Sequence, residues 1–149
     1  MPARLMLAVL LMFHVLPSYA AAEPPVHVKF MLGEWEATVP SNRYRMKIIW
    51  DQHSEELLGY LTKNGTASGQ VGFTINEHIF TAKTVQNPTM VIAIQKYRSG
   101  TNGISNWHGW VTATIDLKES SSTQLVATYP PYLDGSNSKT VYKRIYSQR

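Results

Sequence analysis

No cysteine occurs among the 149 residues of the chain. That excludes disulfides, thiolate metal sites, a thiol nucleophile and the cysteine on which bacterial secreted proteins carry a lipid anchor. Beyond the first sixteen residues or so no apolar run approaches the roughly 20 residues of a membrane-spanning helix, so no integral membrane segment is expected. His27, His53, His78 and His108 match no metal-ligand spacing, and neither a metal nor any other cofactor is expected. A Gly-x-Ser-x-Gly elbow and a phosphate loop are both missing. Glu55 and Glu56 are adjacent and point to opposite faces of a strand, and Asp51 with His53 makes at best a local pair at a turn. The chain is therefore read as a non-enzyme. Its formal charge of +4 is spread out, and the densest groups (Arg43, Arg45, Lys47 and Lys143, Arg144) alternate with other residues instead of forming a basic stripe, so no nucleic-acid partner is expected.

Residues 1–22 read as a signal peptide. MPAR supplies the cationic start, LMLAVLLMFHVL the apolar core, and SYAAA the small residues for cleavage, before Glu23 or before Ala21. Residues 23–149 remain as a single domain, large enough to bury a core without metal or disulfide. The expected location is periplasmic or secreted. The lack of disulfides favours a bacterial source, and the sequon Asn64-Gly65-Thr66 keeps a eukaryotic one open.

Period-two alternation dominates this domain and helical periodicity is scarce. Arg43 to Trp50 is the clearest strand, with Tyr44, Met46, Ile48 and Trp50 on one face and Arg43, Arg45 and Lys47 on the other. Further strands are expected at 35–39, 55–63, 71–75, 78–85, 90–97, 107–117, 124–129 and 140–146, linked by turn formers such as Asn64-Gly65, Asn76-Glu77 and Ser99 to Gly103. Both faces of Leu57 to Leu61 are apolar, so its inward face is undetermined. Eight to nine strands with short links imply an all-β fold, an antiparallel up-and-down barrel, with a two-sheet β-sandwich as the alternative.

Gly33-Glu34-Trp35 at the start of the first strand resembles the Gly-x-Trp signature of the calycin barrels, the lipocalins, fatty-acid-binding proteins and avidins. Lys143-Arg144-Ile145-Tyr146 resembles the last-strand arginine that those barrels pack over the tryptophan. The resemblance implies barrel closure through Gly33, Trp35 and Arg144, with the first and last strands paired. In fatty-acid-binding proteins an Arg-x-Tyr pair in the last strand meets a ligand carboxylate, which Arg144 and Tyr146 resemble here. Pro40-Ser41-Asn42 leaves no room for the helix-turn-helix those proteins insert after strand one.

The leading expectation for function is a lipocalin-like binding protein for an apolar or amphiphilic small molecule, with an anionic head group suited to the site. Tyr142, Arg144 and Tyr146 would form a cationic and phenolic floor to a cavity lined by Tyr44, Met46, Ile48 and Trp50, with Trp110 at its mouth beside Tyr129 and Tyr132. The plainer alternative is that these side chains fill the barrel and leave no cavity. A second expectation is a periplasmic interaction module, such as a protease or hydrolase inhibitor, contacting its protein partner through the Tyr129 to Asn137 loop with Tyr129 and Tyr132. A third is a barrel isomerase or cyclase, which needs a titratable residue inside.

Overall fold

Strand alternation closes into a ring. The computed structural model describes residues 22–38, 44–63, 74–85, 87–99, 107–129 and 138–146. Its strands are β1 Gly33–Ala37, β2 Arg45–Asp51, β3 Glu56–Lys63, β4 His78–Thr84, β5 Met90–Ser99, β6 Trp107–Asp116, β7 Gln124–Tyr129 and β8 Ser138–Arg144. Each pairs antiparallel with the next, and β8 pairs with β1, so the sheet is a closed eight-strand up-and-down barrel and not a sandwich. Closure gives every strand a partner on each side. Of the additional strand expected at 71–75, residues 71–73 lie outside the described residues, and Ile75 and Asn76 make a turn in which Asn76 takes φ +68°. The expected leader lies outside them too, except for Ala22, as do Tyr132 and the sequon.

Side chains sort as the alternation requires. In β2, Met46 and Ile48 are buried while Lys47 and Ile49 are exposed. In β3 the ambiguity is resolved: Leu57, Gly59 and Leu61 face inward and Leu58 and Tyr60 outward. Gly59 is required there, because a Cβ on it would sit 2.8 Å from the Cβ of Phe80, which packs directly over its backbone.

The two ends of the barrel differ. A 3-10 helix, Val26–Met31, precedes β1 and lies across one end, burying Val28 and Met31 against the interior. It is tied to that end by His27 Nε2, 2.6 Å from the carbonyl of Val85 after β4. Trp50, at the end of β2, donates its indole N–H to the carbonyl of Ala22 at 2.7 Å. The β2–β3, β4–β5 and β6–β7 connections are at this closed end; the strand ends that the other four connections join are at the opposite end, the mouth.

Candidate functional site

At the closed end, Trp35 is fully buried and donates its indole N–H to the Met31 carbonyl at 2.7 Å. Arg144 lies over its face, with Cζ 4.1 Å from the ring centroid, and the two residues are directly opposite in the β1–β8 register. A cation in that position contributes about 0.5 to 2 kcal/mol. The guanidinium also donates from Nη1 to the Leu32 carbonyl at 2.8 Å, from Nη2 to Phe30 and from Nε to Ser122. Gly33 adopts φ +123°, and a Cβ at that position would collide with Arg144 Nη1. One short motif thus serves three needs: a left-handed backbone, room for a guanidinium, and an indole beneath it.

This geometry corrects the expectation that Arg144 forms the cationic floor of a cavity. Its three kinds of N–H are engaged with backbone carbonyls outside the barrel core, and burial lowers its pKa from the ordinary arginine value. Tyr146 is not on an inward face either: β8 ends at Arg144, the alternation ends with it, and the Tyr146 side chain is 66% exposed. Trp110 faces outward, because Val111, Ala113 and Ile115 take the inward positions of β6. It is 42% exposed and belongs to an outer cluster. The His78 ring is tilted against it with centroids 5.4 Å apart, and Tyr60 is tilted against His78 at 5.5 Å; Lys96 Nζ lies 5.5 Å over the indole and pairs with Glu77 at 2.6 Å.

The four expected lining residues Tyr44, Met46, Ile48 and Trp50 do share the inner face of β2 and its approach. The interior around Met46 and Ile48 is filled. Trp35, Met46, Ile48, Leu57, Leu61 and Phe80 retain 0–1% of their exposure. Ala82, Ala93 and Ala113 stand side by side on β4, β5 and β6 and are equally buried, so the space that three short side chains leave is occupied.

Towards the mouth the interior changes character. Tyr44, Gln95, Tyr129 and Tyr142 converge from β5, β7, β8 and the residue before β2 into one hydrogen-bonded quartet. The phenolic oxygens of Tyr44 and Tyr142 are 2.6 Å apart, and those of Tyr129 and Tyr142 2.8 Å. The Gln95 carboxamide touches all three, with its Oε1 2.5 Å from Tyr129 and 3.0 Å from Tyr142 and its Nε2 against Tyr44. Burial raises the pKa of each phenol, with neighbouring phenols adding to the shift, so all three stay protonated at neutral pH. Among the described residues, Thr81 and Gln95 are the buried polar side chains other than tyrosine, and the interior offers no carboxylate or imidazole for acid–base chemistry. No group of three or more His, Cys, Asp or Glu able to hold a metal occurs among them. Asp51 serves its turn, accepting from the backbone N–H of His53 and from Ser54.

Of the quartet, Gln95 is not among the residues expected from the sequence, and Tyr129 is expected only as part of the mouth and of a protein-contact loop. The signal is the continuation of an inward face: Val91-x-Ala93-x-Gln95 and Leu125-x-Ala127-x-Tyr129 are uninterrupted period-two series that end in a polar side chain. Pro130-Pro131 draws Tyr129 into the following loop on paper, whereas its ring turns into the barrel. The rest of the Tyr129 to Asn137 contact loop, with Tyr132, lies outside the described residues. Of Trp107 and His108 only the backbone is described, in register with Ser99 and Arg98.

No protein-family model, curated protein or solved structure matches the chain. No helix among the described residues is long and apolar enough to cross a membrane.

Proposed function

We propose that the protein is an exported barrel of calycin type that binds an apolar or amphiphilic small molecule at its mouth, against Tyr44, Gln95, Tyr129 and Tyr142. The observation that supports this reading is the quartet itself. Three buried polar side chains and the half-buried Tyr44 cluster at one end of a largely apolar interior, the pattern of a binding site with a few convergent polar anchors. The Gly33-Trp35-Arg144 latch agrees with the calycin resemblance, and the leader at residues 1–22 with export. The filled interior around Trp35 and Leu57 confines any ligand to the mouth. Native mass spectrometry of protein purified from its own host tests the reading: a retained small-molecule mass that is lost in Tyr129→Phe supports it. A chain that leaves its host empty and quenches no lipophilic fluorescent probe overturns it.

A second reading, an interaction module such as a hydrolase inhibitor, draws on the outer cluster of Tyr60, His78, Lys96 and Trp110. An exposed indole flanked by an ion pair has the composition of a protein-contact patch. Its test is capture of a host protein that Trp110→Ala no longer captures.

A further inference from the structure

The hydrogen-bond balance of the quartet restricts what it can hold. Three phenols supply one proton each and the Gln95 carboxamide supplies two. Five contacts join the four side chains: Tyr44 to Gln95, Tyr44 to Tyr142, Tyr129 to Tyr142, Tyr129 to Gln95 and Tyr142 to Gln95. With the amide nitrogen towards Tyr44 it covers one contact, and four oxygen–oxygen contacts are left to three phenolic protons. A half-turn of the carboxamide, whose two ends are alike in shape, removes the shortfall. The nitrogen then donates to Tyr129 and Tyr142, Tyr44 to the amide oxygen, Tyr142 to Tyr44, and Tyr129 to Tyr142. Five protons then serve five contacts.

The result is one-sided. Neither orientation of the amide leaves a phenolic proton free, and the balanced one leaves no N–H free either. The Tyr44 oxygen and the Gln95 carbonyl each keep an unused lone pair, and the one left on the Tyr129 oxygen is taken up by the Thr140 side chain. Tyr44 is half-buried, and Gln95 and Tyr129 retain 7% and 8% exposure against 1% for Tyr142, so the two free acceptors lie on the wetter side of the cluster. Resting on the mouth site proposed above, we infer that the polar group of its ligand is a neutral hydrogen-bond donor, a hydroxyl or an amide N–H, and not a carboxylate or phosphate. An anion would meet acceptor oxygens here, and Arg144 is committed at the other end of the barrel. An ammonium would give up its water for two neutral acceptors with no counter-charge, which is costly.

Calorimetric titration of the mature chain with 1-decanol, decyl methyl ether and decanoate tests this, because the first two differ chiefly in the donor proton. The alcohol is expected to bind about tenfold more tightly than the ether, the worth of one hydrogen bond to a group otherwise left unpaired, and decanoate is expected to bind least well. In Tyr44→Phe, checked for folding by circular dichroism, the alcohol-to-ether ratio should fall towards one. An ether that binds as well as the alcohol, or decanoate binding best, overturns the inference while leaving the mouth as a site. Failure of all three to bind ends the mouth reading and this inference with it.

Discussion

The barrel buries polar chemistry at both ends and uses it in opposite ways. At the closed end a cation is held by backbone: Arg144 meets the carbonyls of Phe30, Leu32 and Ser122 and rests on Trp35. Those acceptors belong to the main chain around the 3-10 helix and the β6–β7 turn, so the arrangement is fixed by the fold and has nothing to offer a ligand. At the mouth, neutral side chains hold one another, and every partner is a rotor or a carboxamide that can turn. The difference teaches where stability and adaptability reside in a small barrel. Charge matched to fixed carbonyls latches the seam, while a side-chain network can reopen for a guest at the cost of a hydrogen bond or two.

Substitutions at the two ends test that contrast. Trp35→Ala should have the largest effect, about 3–5 kcal/mol of unfolding free energy in urea titration, since it empties the best-buried position of the closed end. Alkaline pH probes the mouth next. Up to about pH 10, folded and unfolded chains both hold the protons of Tyr44, Tyr129 and Tyr142. Above it the unfolded chain releases them near the ordinary value while burial makes the folded chain keep them, so stability falls as pH rises. The slope is about 1.4 kcal/mol per pH unit for each phenol, and about 4 for three. Phenolate absorbance from these residues should appear together with loss of the far-ultraviolet dichroism; phenolate appearing earlier, in a folded barrel, would show the mouth to be wet.

Arg144→Lys should cost about 1–3 kcal/mol in the same urea titration, because a single ammonium cannot span three carbonyls and a ring. Tyr129→Phe should cost about 1 kcal/mol, its remaining partners being free to re-pair. If the lysine is neutral and the phenylalanine expensive, the contrast between the ends is inverted. Trp110→Ala, outside the barrel, should change stability by no more than about 0.5 kcal/mol, so any loss of partner capture in that variant is not a loss of fold.

The closed end was readable in the sequence because its code is local. Gly33 and Trp35 lie two residues apart at a strand start, and closure of a meander dictates that the last strand, with Arg144, lies beside them. Strand faces were readable wherever apolar and polar residues alternate, as in β2. In β5 they were not: Val91, Ala93 and Gln95 face inward while Ile92 and Ile94, equally apolar, do not, so composition gives no preference and Gln95 passes unnoticed. The quartet is harder still, because Tyr44, Gln95, Tyr129 and Tyr142 are brought together by the register of the strands between them. A period-two pattern shows which side of a strand a residue takes, but not how far along the barrel it lies. Trp110 and Tyr146 were misplaced for related reasons, one by assigning a ligand role to the outer face and the other by extending alternation past the end of a strand.

The β1–β8 seam also carries a consequence for how the chain is made. The Arg144 contact with the Leu32 carbonyl joins residues 112 positions apart, so the barrel cannot be latched until β8 has been synthesised. Until then β1 and the last completed strand both present open edges, the state most prone to pair with a neighbour. Ring closure consequently waits for β8, and a nascent chain released before Arg144 remains an open sheet however well its hairpins have formed.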